Sequence, residues 1–322
     1  MPGSNDVRRN ILLSVSIFTI LALSPLFLSI YWTMILTEIL IMGLFAMSFN
    51  LLFGYSGLLS FGQAGFFGLG AYAATLSILH GVKSVWLAMV IGLGVSALGA
   101  LLIGFLCVRR DEIFFAMLTL GFGMMIYTVA HNWRELTGGS DGLSLFLVPL
   151  VHVFGFEFSI EPPVAMYYFT LCIASLGVFI LWRVIQSPFG LMLKASRENK
   201  DRLYFVGANV QTIRLFAFVI SGTLAGLSGV LFSLFNHMAA PSFVHWSFSA
   251  RPVLMTILGG CEIFFGPACG AAIFFVLEQL VTTVTENWMI VLGAILIPVV
   301  IFTPKGILGT VVSWFSNRRV AR

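Results

Sequence analysis

The sequence predicts an all-α, polytopic integral membrane protein with about ten transmembrane helices, some of them broken by glycine. Three observations carry this. Of 322 residues, 59% are apolar and 9% charged, against roughly 25% charged in soluble domains, too few to dress a water-facing surface. Apolar runs recur at lengths able to cross about 30 Å of hydrocarbon, and they are read as helices because a lone strand leaves its backbone unsatisfied in lipid. The basic residues gather in alternate connections, as the positive-inside rule requires of a multi-spanning chain.

The first run, Ile11 to Tyr31, follows MPGSNDVRRN. It is too long for a signal peptide and lacks a small-residue cleavage pattern, so it is read as a retained helix. Runs at 33–53, 58–80, 85–107, 112–130, 164–184, 213–235, 264–283 and 288–303 complete nine clear segments. Threaded from a cytoplasmic N-terminus, they place Arg8, Arg9, Arg109, Arg110 and the cluster Arg183, Lys194, Arg197, Lys200, Arg202 and Arg214 on the cytoplasmic side. The tail, with Lys305, Arg318, Arg319 and Arg322, belongs there too, which demands a tenth crossing. Trp246 to Gly260, a short stretch with Arg251 and Pro252, is the candidate for a tilted or partial helix. With it, 14 of 17 Lys and Arg are cytoplasmic, leaving Lys83, Arg134 and Arg251 elsewhere. All seven tryptophans fall at predicted helix ends or in the tail, where an amphipathic ring meets the interface. Residues 1–322 read as one membrane domain, with the polar loop 186–213 inside it.

The same residues exclude several classes of function. The net charge of +4 follows topology and forms no basic stripe, so no nucleic-acid partner is expected. Cys107, Cys172, Cys261 and Cys269 form no ligand-spaced pair and read as packing residues. There is no GxxxxGK[ST] phosphate loop, no HExxH and no G-x-S-x-G, and the five histidines lack metal-ligand spacing. No catalytic residue, metal site or bound cofactor is expected of this chain.

Three stretches carry information. In NLLFGYSGLLSFGQAGFFGLGAYAAT, beginning at Asn50, glycines interrupt an apolar run. They serve close helix packing. Alternatively, Asn50, Ser56, Ser60 and Gln63 line a polar path with local unwinding at GYSG, since non-helical backbone at membrane depth needs protein or water beside it. TGGSDGL, from Thr137, lies in the longest outward loop; its Gly139 and Asp141 serve either a turn or a docking surface. SPFGLMLKASRENKDRLYFVGANVQTI, from Ser187, is the longest cytoplasmic polar interruption. Ser187 and Pro188 suit a helix start, and Gly207 suits the stop of a second short helix over about Glu198 to Phe205. The result is a helical knob below the membrane: a topology-setting basic loop, or a dock for a cytoplasmic engine. Glu38 and Glu278 lie within two turns of predicted outer helix ends and read as interfacial acids rather than a proton relay.

These blocks, with FFAMLTLGFGMMIYTVAHNWRELTGGSDGL, AFVISGTLAGLSGVLFSLF and ILGGCEIFFGPACGAAIF, resemble the permease subunits of ABC importers for branched-chain amino acids, particularly the M-type member of the permease pair. They occur in the family's order across most of residues 50 to 275. The resemblance implies a bacterial inner-membrane protein, and the Lys and Arg asymmetry puts both termini on the cytoplasmic side. Its implied partners are a second homologous permease, two cytoplasmic ABC ATPases that hydrolyse ATP, and an extracytoplasmic solute-binding protein. It also implies that the knob docks the ATPase through an acidic residue and a spaced glycine, which Glu198 and Gly207 match, with Arg197 and Asn199 beside them. Asp201, Arg202, Leu203 and Tyr204 depart from the family's small residues and further acid. The implied substrates are leucine, isoleucine and valine, with urea or short amides as the alternative. From the residues alone, an ion-coupled transporter or channel and a non-transporting scaffold stay open beside the importer.

Overall fold

The computed structural model describes residues 19–109, 112–146, 148–153 and 156–283, with scattered residues between 290 and 310. Residues 19–27 are helical. They are followed by α1 (Ile30–Ser56), α2 (Gln63–Leu79), α3 (Val85–Cys107), α4 (Glu112–Asn132), a short α5 (Arg134–Thr137) and α6 (Pro163–Gln186). The cytoplasmic loop folds into α7 (Pro188–Glu198) and α8 (Lys200–Phe205), and then come α9 (Val210–Asn236), α10 (Trp246–Gly259) and α11 (Gly266–Thr282).

The all-α membrane class stands. Among the described residues, α1, α3, α4, α6 and α9 are long and apolar enough to cross a membrane, while α2 and α11 are shorter apolar helices. The tenth candidate, Trp246 to Gly260, is a 14-residue helix with Pro252 inside it. The predicted segment 288–303 is described only at scattered residues. Arg8, Arg9, Arg110, Lys305, Arg318, Arg319, Arg322, Trp288 and Trp314 lie outside the described residues.

α1 and α9 form the centre. Each is buried over 72% of its apolar stretch, against 33% for α3 and 22% for the outlying α4. α2, α3 and α9 pack mutually, while α6, α10 and α11 pack around α1. Small residues set the closest approach: a Cβ on Gly70 would overlap the carbonyl of Gly226, and one on Gly229 the carbonyl of Phe67. The α2 and α9 backbones therefore touch directly, which in lipid replaces the missing hydrophobic drive with dispersion contacts. Rings then fill the space where four helices meet. Phe67 of α2 lies 4.9 Å from Phe45 of α1, 5.5 Å from Phe232 of α9 and 5.0 Å from Phe248 of α10, centroid to centroid.

The outer connections contain four short strands. β1 (Leu143–Ser144) pairs antiparallel with β4 (Met238–Ala239), and β2 (Val151–Val153) with β3 (Phe156–Phe158).

Candidate translocation and docking site

The predicted unwinding at GYSG is displaced. Gly54, Tyr55 and Ser56 remain helical, and the backbone opens only at Gly57, which takes the left-handed φ of 74°. A single helix thus replaces the 33–53 segment, and the 58–80 segment begins at Gln63. Both Gly54 and Gly57 could take a positive φ, and the bonds that hold Phe61 and Gln63 go with the turn at Gly57.

Residues 57–62 then climb back along α1 before α2 starts. Gln63 Nε2 donates to Ser221 Oγ at 3.1 Å, and that hydroxyl donates to the Ser48 carbonyl at 2.6 Å. Ser48 lies eight residues before the end of α1, a rise of about 12 Å. On the other side, the Phe61 N–H donates to Thr119 Oγ1 at 3.3 Å, inside α4. The non-helical segment is therefore enclosed by α1, α4 and α9, as irregular backbone at membrane depth must be.

The four predicted path residues converge on this break. Asn50, Ser56, Ser60 and Gln63 are 2%, 1%, 0% and 0% exposed, so in this conformation they line no open channel. Each also carries a buried polar atom without a hydrogen-bond partner among the described residues: Asn50 Oδ1, Ser56 Oγ, Ser60 Oγ and Gln63 Oε1. Such an atom costs about 1–3 kcal/mol. Four around one break mark a polar lining that is covered.

A second break faces the first. α10 ends at Gly259, Gly260 takes a φ of 101°, and α11 begins at Gly266 with Pro267 in its first turn. Asn50 Nδ2 donates to the Cys261 carbonyl at 3.2 Å and Thr256 Oγ1 to the Ala46 carbonyl at 3.3 Å, so α1 holds this turn too.

Below the first break sits the knob. Pro188 opens α7, and Asn199 ends it while capping α8, its side-chain oxygen accepting from the Arg202 N–H at 3.0 Å. The predicted helix over Glu198 to Phe205 thus starts later, at Lys200, because Asn199 takes the cap. Gly207, at a φ of 86°, reverses the chain, and Asn209 caps α9 by accepting from the Thr212 N–H at 3.2 Å. Glu198 and Gly207 are exposed. So are Leu191, Tyr204, Phe205 and Val206, at 66%, 73%, 85% and 84%, which gives the knob an uncovered apolar face. Sequence reasoning weighted Glu198 and Gly207 and passed over this face, although LYFV in a polar loop was its signal.

Arg197 turns the other way. Its Nη1 donates to the Gly54 carbonyl, and its Cγ is the nearest atom to the space a Gly57 Cβ would occupy, at 3.0 Å. Gly54 lies in the last turn of α1, whose carbonyls lack intrahelical donors and carry the negative end of the helix dipole. A guanidinium from the knob satisfies both needs. Lys194 adds a second tie, its Nζ 5.3 Å from the Tyr55 ring centroid. Arg197, exposed like Glu198, thus also joins the knob to the break.

At the outer side, Gly138, Gly139 and Gly142 all take positive φ, and Gly139 is buried while Asp141 is exposed. Thr137 Oγ1 donates to the Ala130 carbonyl, and the Leu145 N–H to the His237 carbonyl, at 2.6 and 2.7 Å. Gly139 therefore shapes a fixed turn, and Asp141 is the group it displays.

The sequence profile described as "Branched-chain amino acid transport system / permease component" matches residues 31–300. The chain is similar to the "High-affinity branched-chain amino acid transport system permease protein LivM" of Salmonella typhimurium (strain LT2), 29% identical over 296 residues that cover 85% of this chain and 69% of the relative. The Escherichia coli K12 protein of the same name is 29% identical over 281 residues, 80% of this chain and 65% of the relative. The "High-affinity branched-chain amino acid transport system permease protein LivH" of Escherichia coli K12 is 26% identical over 288 residues, 83% and 90%. The chain spans about two thirds of the length of the LivM relatives. No solved structure matches it.

Proposed function

The chain belongs to the family of branched-chain amino acid transport permease components, and on that premise we propose that it is one half of an ABC importer's membrane path for leucine, isoleucine, valine or a related small solute. The other half is a second homologous permease. Two cytoplasmic ATPases dock on the knob, and an extracytoplasmic binding protein delivers solute at the outer face, where Asp141 is displayed. Both termini lie on the cytoplasmic side of the bacterial inner membrane, and the chain binds no cofactor of its own. The observation that carries this reading is the knob itself: an exposed apolar face with Glu198 nearby, tied by Arg197 to the end of a broken central helix. Force applied to Tyr204, Phe205 and Glu198 reaches Gly54 through one side chain. The break it reaches is lined by Asn50, Ser56, Ser60 and Gln63, whose orphaned polar atoms are matched when the path opens to water or solute.

The test is reconstitution with the partner subunits. Glu198→Ala and Phe205→Ser weaken ATPase co-purification while leaving the membrane part folded, and the purified chain alone moves no leucine across a liposome. Uptake by the isolated chain would sink the importer reading.

A further inference from the structure

Two flanks of the molecule differ in what they expose. Along α3 and α4 the outward side chains are apolar, with Leu98, Leu102, Ile113 and Met117 exposed at 60%, 67%, 76% and 66%. That flank suits lipid. The flank formed by α1, α10 and α11 instead carries three charges within the helices: Glu38, the ninth residue of α1, Arg251, the sixth of α10, and Glu278, the fifth from the end of α11. Arg251 Nη2 meets Glu278 Oε1 at 3.4 Å, and its guanidinium lies 5.3 Å from the Phe248 ring centroid. Glu38 lies on α1, against which α10 and α11 both pack. All three are in the outer halves of their helices, since the opposite end of α1 is the one the knob holds.

This cluster is neither sealed in the core nor balanced. The Arg251 and Glu278 side chains are 27% and 16% exposed. Charged groups inside a span avoid lipid and face protein or a water-filled cavity, so this flank looks onto the path or the second permease rather than onto acyl chains. The three helices bring two carboxylates and one guanidinium to this flank, and the guanidinium meets only the Glu278 carboxylate among the described residues. The Arg251 and Glu278 contact is long for a charge-assisted bond and occupies one of the five donors that a guanidinium offers. Glu278 Oε2 is buried and has no hydrogen-bond partner among the described residues. A ligand that suits this arrangement carries a carboxylate for the guanidinium fork and an ammonium for the spare carboxylate oxygens.

We propose that Glu38, Arg251 and Glu278 form a headgroup site for a zwitterionic α-amino acid in the outer half of the transport path. Arg251 receives the α-carboxylate, and Glu38 with Glu278 receives the α-ammonium. The site is separate from the covered polar break around Gln63, and the proposal rests on the amino-acid importer reading.

The experiment uses the full assembly of both permeases and both ATPases in nanodiscs, measuring radiolabelled leucine binding without the binding protein and leucine uptake with it. Arg251→Gln and Glu278→Gln are expected to weaken leucine binding at least tenfold and to slow uptake, with ATPase co-purification retained. Leucinamide, which lacks the carboxylate, and isocaproate, which lacks the ammonium, compete at least tenfold more weakly than leucine. The double variant Arg251→Met with Glu278→Leu separates a site from a structural pair. It removes both charges without stranding either, so restored binding assigns the pair to packing and overturns the proposal, whereas continued loss supports the site. Leucine uptake that is unchanged in Arg251→Gln overturns the site and leaves the importer standing. A wild-type assembly that takes up none of leucine, isoleucine and valine overturns both.

Discussion

The two helix breaks solve one problem in different ways. Both take the chain out of helix, and both rest on α1. The second, between α10 and α11, is closed by backbone: a Cβ on Gly259 would overlap the Gly266 carbonyl, and one on Gly270 the Met255 carbonyl. The first, between α1 and α2, is closed by side chains, with Arg197 arriving from the knob at one end and Ser221 meeting Gln63 at the other. A backbone closure fixes a shape. A side-chain closure can be released and remade, and here one of its partners sits on the surface assigned to an ATPase. The difference suggests that the second break is a rigid frame and the first the part that moves.

The largest expected effect breaks the frame. Gly270→Leu places a branched side chain where α10 and α11 share backbone contact, and no rotamer change of a neighbour makes room. Overpacking of this kind costs about 3 kcal/mol or more. The variant is expected to lose its monodisperse peak on size exclusion in mild detergent. A Gly270→Leu protein with wild-type elution and melting temperature would show that the second break is not rigid.

A smaller effect is expected at the first break. Gly57→Ala puts a Cβ on a left-handed residue, at about 1–2 kcal/mol, and presses it against the Arg197 stem. The stem is flexible, so the protein folds with a lowered melting temperature. Its deficit is read in transport rather than in folding. If Gly57→Ala is instead as disruptive as Gly270→Leu, the contrast between the breaks collapses.

How much of this was legible in the sequence follows from the same chemistry. Helices facing lipid are read well because composition alone decides them, and α3, predicted at 85–107, is found at Val85–Cys107. The first break was seen but misplaced. Leu58, Leu59 and Phe61 are apolar, so hydropathy runs through the open segment without interruption, and which glycine turns left-handed depends on the tertiary bonds of Gln63 and Phe61. The knob was legible because Pro188, Asn199 and Gly207 are local signals that act through backbone geometry. Arg197 was not. Its bond to Gly54 spans 143 residues of chain, and nothing near it in sequence distinguishes a guanidinium that caps a helix from one that awaits a partner protein. The charged cluster was hidden for the same reason. Glu38, Arg251 and Glu278 were each visible, but only packing joins Arg251 to Glu278 and sets their helices against the one that holds Glu38.

Arg197→Met tests the link itself. It removes one charge-assisted bond to an otherwise unmatched helix carbonyl while keeping the stem that packs on Gly57, a loss of about 1.5–3 kcal/mol at most, reduced because the site is partly open to water. ATPase co-purification is expected to hold, since Glu198 and the apolar face are untouched. Leucine uptake per ATP hydrolysed is expected to fall, because the dock no longer pulls on α1. Loss of ATPase capture would return Arg197 to the docking face, where the sequence had put it.

The smallest change sharpens the comparison from the opposite side. Asn199→Ala removes the N-cap of α8, about 1 kcal/mol from a six-residue helix with no buried residue to hold it. α8 frays locally, and Tyr204, Phe205 and Val206 lose their fixed presentation. The Arg197 bond to Gly54 lies on the neighbouring α7 and persists, so the melting temperature of the membrane part changes little, within the roughly 0.5 kcal/mol expected of an isolated surface substitution. ATPase capture weakens, and the complexes that do form keep their normal ratio of uptake to hydrolysis. Arg197→Met and Asn199→Ala therefore give mirrored phenotypes, coupling without capture and capture without coupling each lost alone. If the two variants fail in the same way, dock and link are one element, and the first break is no more movable than the second.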